Sequence, residues 1–345
     1  MASRSPWRHA AKHEVTPVSH RNSTLPPTLP AYVLQVSGRH QIALVLLSVA
    51  VFLLSAAPLE IQRRLVNDAV RSGSVQPIVW LALAYLGVAL LEGGIKLGLN
   101  IYRAWVSETA VLDLRQRVSA LTAVVAQSPD RASDEGAEIA MLLSEVEPIG
   151  GFAGVSISEP LLQGGILASV FAYLAFLEPL MALLCAAAIS PQLVFVPMLQ
   201  RRINQRAAER IETMRSLGGN VAGAGDGTDP AQATSAQGGR IRHVFELDMG
   251  IFRIKFTMNF LMNLMHHLAV ATALGVGGYY VVLGRIEVGT VVAFVSGLAK
   301  VNDPWGDLVN WFREMTAVTM RYRLLAGGMA RLGRGSLGQS PGANA

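Results

Sequence analysis

The chain has 345 residues, 51% of them hydrophobic and only 15% charged, with a formal net charge of +5. Soluble domains carry roughly 25% charged residues, and a charge at the centre of a bilayer costs at least ~2.5–3.5 kcal/mol. The deficit therefore excludes an ordinary soluble enzyme and points to a membrane protein. The lone Cys185, inside an apolar run, excludes a disulfide framework. The excess of positive charge reads as Arg-rich loops beside membrane spans, with no nucleic acid as partner.

Residues 1–39 are polar and rich in Ser, Pro, His and Arg, with no apolar h-region of a secretory signal. They read as a disordered basic tail, with Pro26, Pro27 and Pro30 opposing a helix. Six apolar stretches then follow, centred on 41–58, 78–99, 149–176, 179–199, 257–283 and 288–312. Each supplies the ~20 residues a helical span needs. Glu178-Pro179 tightly joins the third and fourth stretches, and 284–289 joins the fifth and sixth. The other connections are long.

Lys and Arg set the orientation. The N-terminal tail has five, 103–147 has four, 200–255 has nine and the segment from Arg313 onward has five. With six spans all of these fall on one side, leaving Arg63, Arg64, Arg71 and Arg285 on the other. Both termini and both long loops are then cytoplasmic; an odd number of spans breaks the pattern. The long loops also look helical. Residues 78–126 contain no Pro, and their helical pattern continues through Trp105 to Val118. About 70 Å of helix results at 1.5 Å per residue, against a hydrocarbon core of ~30 Å. The stretches 179–217 and 240–283 read the same way, so four helices are expected to project from the membrane as two hairpins.

Ionisable and polar residues inside spans are functional candidates. Glu92 and Lys96 stand i, i+4 on the second span, with Asn100 and Arg103 on the same face. They form either an internal ion pair or part of a translocation path. On the fifth span Asn259, Asn263 and His266 share a face, beside His267. Interhelical hydrogen bonding or a path lining accounts for them, and a metal site needs more convergent ligands. On the sixth, Asp303, Asp307 and Asn310 share a face near Asn302, Trp305 and Trp311, and Pro304 can kink the helix. No nucleophile–base pair or paired-carboxylate arrangement stands out, so the chain itself is not read as an enzyme.

Several local motifs, in this order, resemble the transmembrane domain of type I ABC exporters. Asp134-Glu-Gly-Ala-Glu-Ile-Ala-Met-Leu-Leu-Ser-Glu-Val-Glu-Pro-Ile-Gly150 resembles the family's first coupling segment. Leu114-Arg-Gln-Arg-Val118 resembles its basic step after the second helix, and Pro197 before Arg201-Arg202 fits its fourth helix. Leu283-Gly-Arg-Ile-Glu-Val-Gly-Thr-Val-Val-Ala-Phe294 resembles its turn into the sixth helix, Pro304 falls where that helix has a proline, and Arg321-Tyr-Arg-Leu-Leu325 resembles its basic exit. The resemblance covers 40–326.

What the resemblance implies is an all-α membrane fold of six long helices and a dimer, with itself or with another transmembrane subunit. ATP-driven closure of nucleotide-binding subunits would then switch the spans between inward- and outward-facing states in the cell inner membrane. Coupling falls to Gly136, Ala137, Glu138, Ile139, Met141, Leu142, Leu143 and Glu145. The chain lacks the Gly-Lys of a G-x-x-x-x-G-K-[ST] loop, since none of its four lysines follows a glycine. ATP and magnesium are therefore expected on a separate partner chain, and the transported substrate stays open. The second coupling tip departs from the family: 218–239 is Gly-rich with Pro230 and reads as a flexible insertion. A transporter-derived scaffold or regulatory subunit is the alternative, and ion-driven transport through Glu92 and Lys96 a third. Residues 327–345 read as a disordered tail.

Overall fold

The computed structural model describes residues 25–71, 75–125, 144–222 and 230–337. Among these every regular element is a helix. The chain runs α1 (Leu29–Leu54), α2 (Ala57–Arg71), α3 (Val75–Val125), α4 (144–153), α5 (Ser158–Leu177), α6 (Pro179–Ile189), α7 (Gln192–Ala222), α8 (Pro230–Val282) and α9 (Val288–Leu337).

The helix boundaries follow proline and glycine. α1 begins ahead of the boundary expected at residue 40, and Pro30 does not prevent it. In the first turn of a helix a proline's missing amide would have had no partner anyway. Pro58 sits in the same way in the first turn of α2, after a break at Ser55–Ala56. Pro179 opens α6 behind Glu178, whose backbone is extended. α3 has no interior proline and runs unbroken for 51 residues, about 75 Å at 1.5 Å per residue. The stretch expected to be continuous over 179–217 is instead divided at Ser190–Pro191, where the proline withdraws an amide from the ladder. Pro197 is accommodated inside α7.

α8 ends in a Schellman motif. Gly284 takes φ +69, its amide donates to the Val281 carbonyl at 2.9 Å, and the Arg285 amide donates to the Tyr280 carbonyl at 2.9 Å. Glycine is the residue that adopts this left-handed conformation without a Cβ penalty. The Arg285 guanidinium then lies 4.7 Å from the centre of the Tyr280 ring. The segment expected to be a flexible insertion is largely helical where it is described: 218–222 close α7 and 230–239 open α8. Pro230 stands at the first helical position, where it is tolerated, and Ala and Gln follow it. Residues 223–229 lie outside the described residues. α9 likewise continues to Leu337, past the boundary expected at 326.

Among the described residues, five helical stretches are long and apolar enough to cross a membrane: Leu29–Arg71, Val75–Ala120, Ser158–Leu177, Pro179–Met214 and Gly238–Val282. The chain thus has the character of an all-helical, multi-pass membrane protein. α9, the sixth expected span, is not among them. Lys300, Asn302 and Asp303 follow its apolar start closely and lower its hydropathy.

The chain forms two compact units. The first comprises the described residues within 1–51, 92–165 and 310–345. Its core holds Tyr32 and Val33 of α1, Leu114 and Val118 of α3, Val146 and Ile149 of α4, and Tyr322 and Leu325 of α9. The Tyr32 hydroxyl contacts the Ala110 carbonyl at 3.1 Å and the Asp113 carboxylate at 3.2 Å. The Tyr322 hydroxyl donates to the Pro26 carbonyl at 2.7 Å, and burial pushes its pKa up to about 12, so it stays a donor at neutral pH. In this unit α3 also meets 150–154 with almost no intervening side chain. A Cβ on Gly154 would strike the Arg103 carbonyl, and one on Gly150 would lie 2.6 Å from the Val111 nitrogen.

The second unit comprises 52–91 and 166–309. Here α8 packs along both α6 and α7. Ala269, Ala273 and Gly277 recur every fourth residue on the buried face of α8. Cys185 donates to the Ala269 carbonyl at 3.7 Å, and a Cβ on Gly277 would lie 3.1 Å from Met181. Small residues at that spacing bring helix backbones together where lipid offers no hydrophobic drive for association.

Candidate functional site

The second unit contains an apolar cleft of about 450 Å³, walled by α5, α6, α7, α8 and α9. Leu167, Phe171, Leu183, Leu193, Leu298 and Val301 are among its apolar wall residues. Five polar side chains interrupt it. Ser190 and Gln192 are already engaged: the Ser190 hydroxyl donates to the Ala187 carbonyl at 2.9 Å, and the Gln192 amide to the Met262 carbonyl at 3.2 Å. The remaining three are His266, Asn302 and Trp305. The His266 ring is edge-on to His267 at 5.6 Å. The Trp305 indole Nε1 is buried with no hydrogen-bond partner. Among the described residues no Asp, Glu, Lys or Arg lines the cleft.

Of the residues expected to line a path, His266 reaches this cleft, together with Asn302 and Trp305 from the polar group on α9. Asn259, Asn263, Asp303 and Asp307 belong to the same unit but not to the cleft lining; each is exposed. Pro304 is buried between the lining residues Asn302 and Trp305. In the first unit Glu92 is half-buried, while Lys96, Asn100 and Asn310 are exposed. Among the described residues no three His, Cys, Asp or Glu side chains gather as metal ligands would. The coupling candidates Gly136, Ala137, Glu138, Ile139, Met141, Leu142 and Leu143 lie outside the described residues. Glu145 is described, and the Arg321 guanidinium approaches its carboxylate at 3.5 Å.

A second polar constellation, unforeseen in the sequence, ties α2 to α5 and to the α8–α9 turn. The Glu60 carboxylate accepts from Arg63 at 2.8 Å, Arg64 at 2.6 Å and the Tyr173 hydroxyl at 2.7 Å. Glu287 pairs with Arg71 at 2.5 Å and Arg63 at 3.8 Å. Asn67 donates to Glu287 and accepts from the Gly289 amide at 2.8 Å. A Cβ on Gly289 would collide with the Arg63 carbonyl, so this close approach requires glycine. Asn67 is itself buried. Asn67→Ala leaves the buried Gly289 amide without an acceptor, a loss of about 1–3 kcal/mol. Cys185 is buried in the same unit and reports unfolding directly. The expected result is that Asn67→Ala exposes Cys185 to a thiol-reactive dye at lower temperature; an unchanged midpoint would show that the bridge is dispensable.

Away from the cleft, α7 and α8 are joined by polar pairs. Arg210 meets Asp248 at 2.7 Å and His243 meets Glu209 at 3.2 Å. The Arg206 guanidinium lies over Gly250, in space a Cβ would fill. In the first unit, Arg103 of α3 pairs with Glu159 of α5 at 2.5 Å, and the Gln163 amide donates to the same carboxylate at 2.7 Å. Arg103 was expected only to continue the Glu92 face. The visible signal for its true partner was an acidic residue inside the third apolar stretch.

A scan of protein-family models and a search of characterised proteins both gave no match to this chain.

Proposed function

We propose that this chain is the membrane-spanning subunit of an ATP-driven transporter of the type I ABC exporter arrangement. It forms the translocation pathway and couples to a separate nucleotide-binding subunit carrying ATP and magnesium. The observation that carries this reading is helix length. α3, α8 and α9 run 51, 53 and 50 residues, more than twice the ~20 a span requires. The excess in α8 is polar and braced against α7 by ion pairs. Rods of this kind give a soluble motor something to grip.

In this reading α9 is the sixth span, both termini are cytoplasmic and the membrane is the cell inner membrane. The Lys and Arg asymmetry supports an even span number. The four arginines on the minority side are held by Glu60, Glu287 and the Tyr280 ring. Lys96, Asp303 and Asp307 stand exposed on helices that would otherwise face lipid. Charge facing lipid is costly, so these faces meet water in a pathway or a second transmembrane subunit, in a homodimer or heterodimer.

The test is co-expression with a nucleotide-binding subunit and reconstitution in liposomes. The expected result is co-purification and a several-fold rise in ATP hydrolysis over that subunit alone. A membrane partner that binds stably with no hydrolytic response would favour the scaffold instead; the Gly-rich composition of 218–239 at the second coupling tip is what favours that reading.

A further inference from the structure

We propose that the α7–α8 pair carries a collar of cations that binds the phosphate headgroups of anionic phospholipids. Arg201, Arg202 and Arg206 of α7 and Arg253 and Lys255 of α8 form it. The collar requires a bilayer around these helices; it does not require that the chain transports anything.

Charge balance sets this level of the two rods apart. No Asp or Glu occurs within 179–208 or within 249–286, and all five cations fall inside these two runs. Each of the five is exposed, and among the described residues none forms an ion pair. Farther along the same rods acids appear and cations are paired, Arg210 with Asp248 and Arg242 with Glu246.

Register gathers the five. α7 and α8 run antiparallel, pinned by Arg210 against Asp248 and by the Gln192 amide on the Met262 carbonyl. Between those two contacts Arg202 comes level with Arg253 and Lys255, and one turn away the Arg206 guanidinium lies over Gly250. From Arg201 to Arg206 the rise is only about 7.5 Å, while successive residues turn by about 100°. The cations therefore ring the pair at one height instead of making a patch on one face. Toward the apolar spans, exposed Val194 and Met198 follow on α7, and exposed Phe256 and Phe260 on α8. Exposed hydrocarbon on one side of an uncompensated ring, with balanced charge on the other, matches the profile of a bilayer surface. A soluble protein or a nucleic acid meets one face of a rod, whereas headgroups surround it. Four of the five are arginines, whose planar donor fork suits phosphate. A zwitterionic headgroup brings its own ammonium beside the phosphate and gains less. Clusters of about four to eight Lys or Arg beside a membrane helix attract anionic lipid in this way.

The experiment uses the full chain in phosphatidylcholine nanodiscs, without any ATPase subunit, with Asn204→Cys labelled by bimane. Asn204 is exposed between Arg202 and Arg206, and Cys185 is buried away from the label. The probes are phosphatidylglycerol and phosphatidylcholine, each carrying a quenching nitroxide near the top of one acyl chain. Phosphatidylglycerol is expected to reach half-maximal quenching at a mole fraction about fivefold lower. Salt at about 1 M shortens the screening length to about 3 Å and is expected to shrink that preference in the unaltered collar. Combining Arg201→Gln, Arg202→Gln, Arg206→Gln, Arg253→Gln and Lys255→Gln is expected to abolish the preference. Unchanged quenching by phosphatidylcholine then shows that the helices still cross the bilayer. Arg240→Gln with Arg242→Gln, farther along α8, is expected to leave the preference intact. Equal quenching by the two lipids, a preference indifferent to salt, or one that survives the five substitutions overturns the proposal. So does an equal loss in the Arg240 and Arg242 variant, because net charge alone then accounts for the effect. Loss of the preference in excess inorganic phosphate overturns it in favour of a free anion. Absence of quenching by either lipid overturns it in favour of a soluble partner.

Discussion

Gly154→Val is expected to destabilise the first unit strongly. The new Cβ would meet the Arg103 carbonyl, with the Ser107 hydroxyl oxygen 2.5 Å away, and both belong to α3. Backbone cannot rotate aside as a side chain can, so α3 and the 154–157 turn must separate. Separation also breaks the Gly154 amide's bond to the Ser107 hydroxyl at 3.2 Å and that hydroxyl's bond to the Gly151 carbonyl at 2.7 Å. Overpacking of this kind costs about 3 kcal/mol. The control lies three residues earlier. A Cβ on Gly151 meets nothing within 4 Å, and Gly151 is helical. Gly151→Ala is therefore expected to be neutral or to stabilise by up to about 1 kcal/mol. Thermal unfolding followed by far-UV circular dichroism separates the two. If both variants melt alike, the close approach of α3 to 150–154 does not bear on stability.

Glu159→Ala carries the second large effect. Arg103 is 8% exposed and, among the described residues, its guanidinium has one anionic partner, Glu159, while its Nε and Nη2 are buried without hydrogen bonds. Removing the carboxylate strands a buried cation, which costs about 3–5 kcal/mol. Removing both partners does not. The double variant Arg103→Met with Glu159→Leu replaces the pair by hydrocarbon, and such replacements are commonly neutral or stabilising. The expected order of unfolding temperature therefore puts the single variant well below both the double variant and the unaltered chain. A double variant as unstable as Glu159→Ala would mean that packing at these positions, and not the charge pair, is what matters.

How far the sequence announced this structure differs from element to element. α3 was legible as one rod because nothing in 78–126 interrupts a helix: no proline, and a polar continuation with intact helical pattern. The long α8 was legible back to residue 240, and its last ten residues before that were not, because glycine and Pro230 read as breakers. Proline at a first helical position costs almost nothing, a distinction that composition alone does not make. The division of α6 from α7 was missed for the opposite reason. Pro191 and Pro197 look alike in the sequence, yet only Pro191 separates two helices.

The site was legible in part. His266 reached the cleft from the list of intramembrane polar residues, and Asn302 and Trp305 belonged to a polar group already noticed. Their five-helix apolar surroundings were not legible, since each wall residue is an unremarkable Leu, Phe or Val until the fold gathers it. The pairing of Arg103 with Glu159 was hidden for a similar reason. The sequence offered i, i+4 partners along one helix, whereas this partner comes from another helix, 56 residues away.

The cleft is bounded by helices whose hydrogen-bond ladders are already incomplete. Pro197 and Pro304 withdraw the amides that the Leu193 and Lys300 carbonyls would otherwise accept, and Leu193, Asn302 and Trp305 are lining residues. At Ser190–Pro191 the chain leaves one helix and enters the next, with a serine hydroxyl standing in for a missing amide. A rod with absent rungs yields to bending at those rungs first. Compliance in this unit is thus concentrated in the cleft walls, so thermal flexing of α7 and α9 changes the cavity's girth before it disturbs the close-packed small residues on α8.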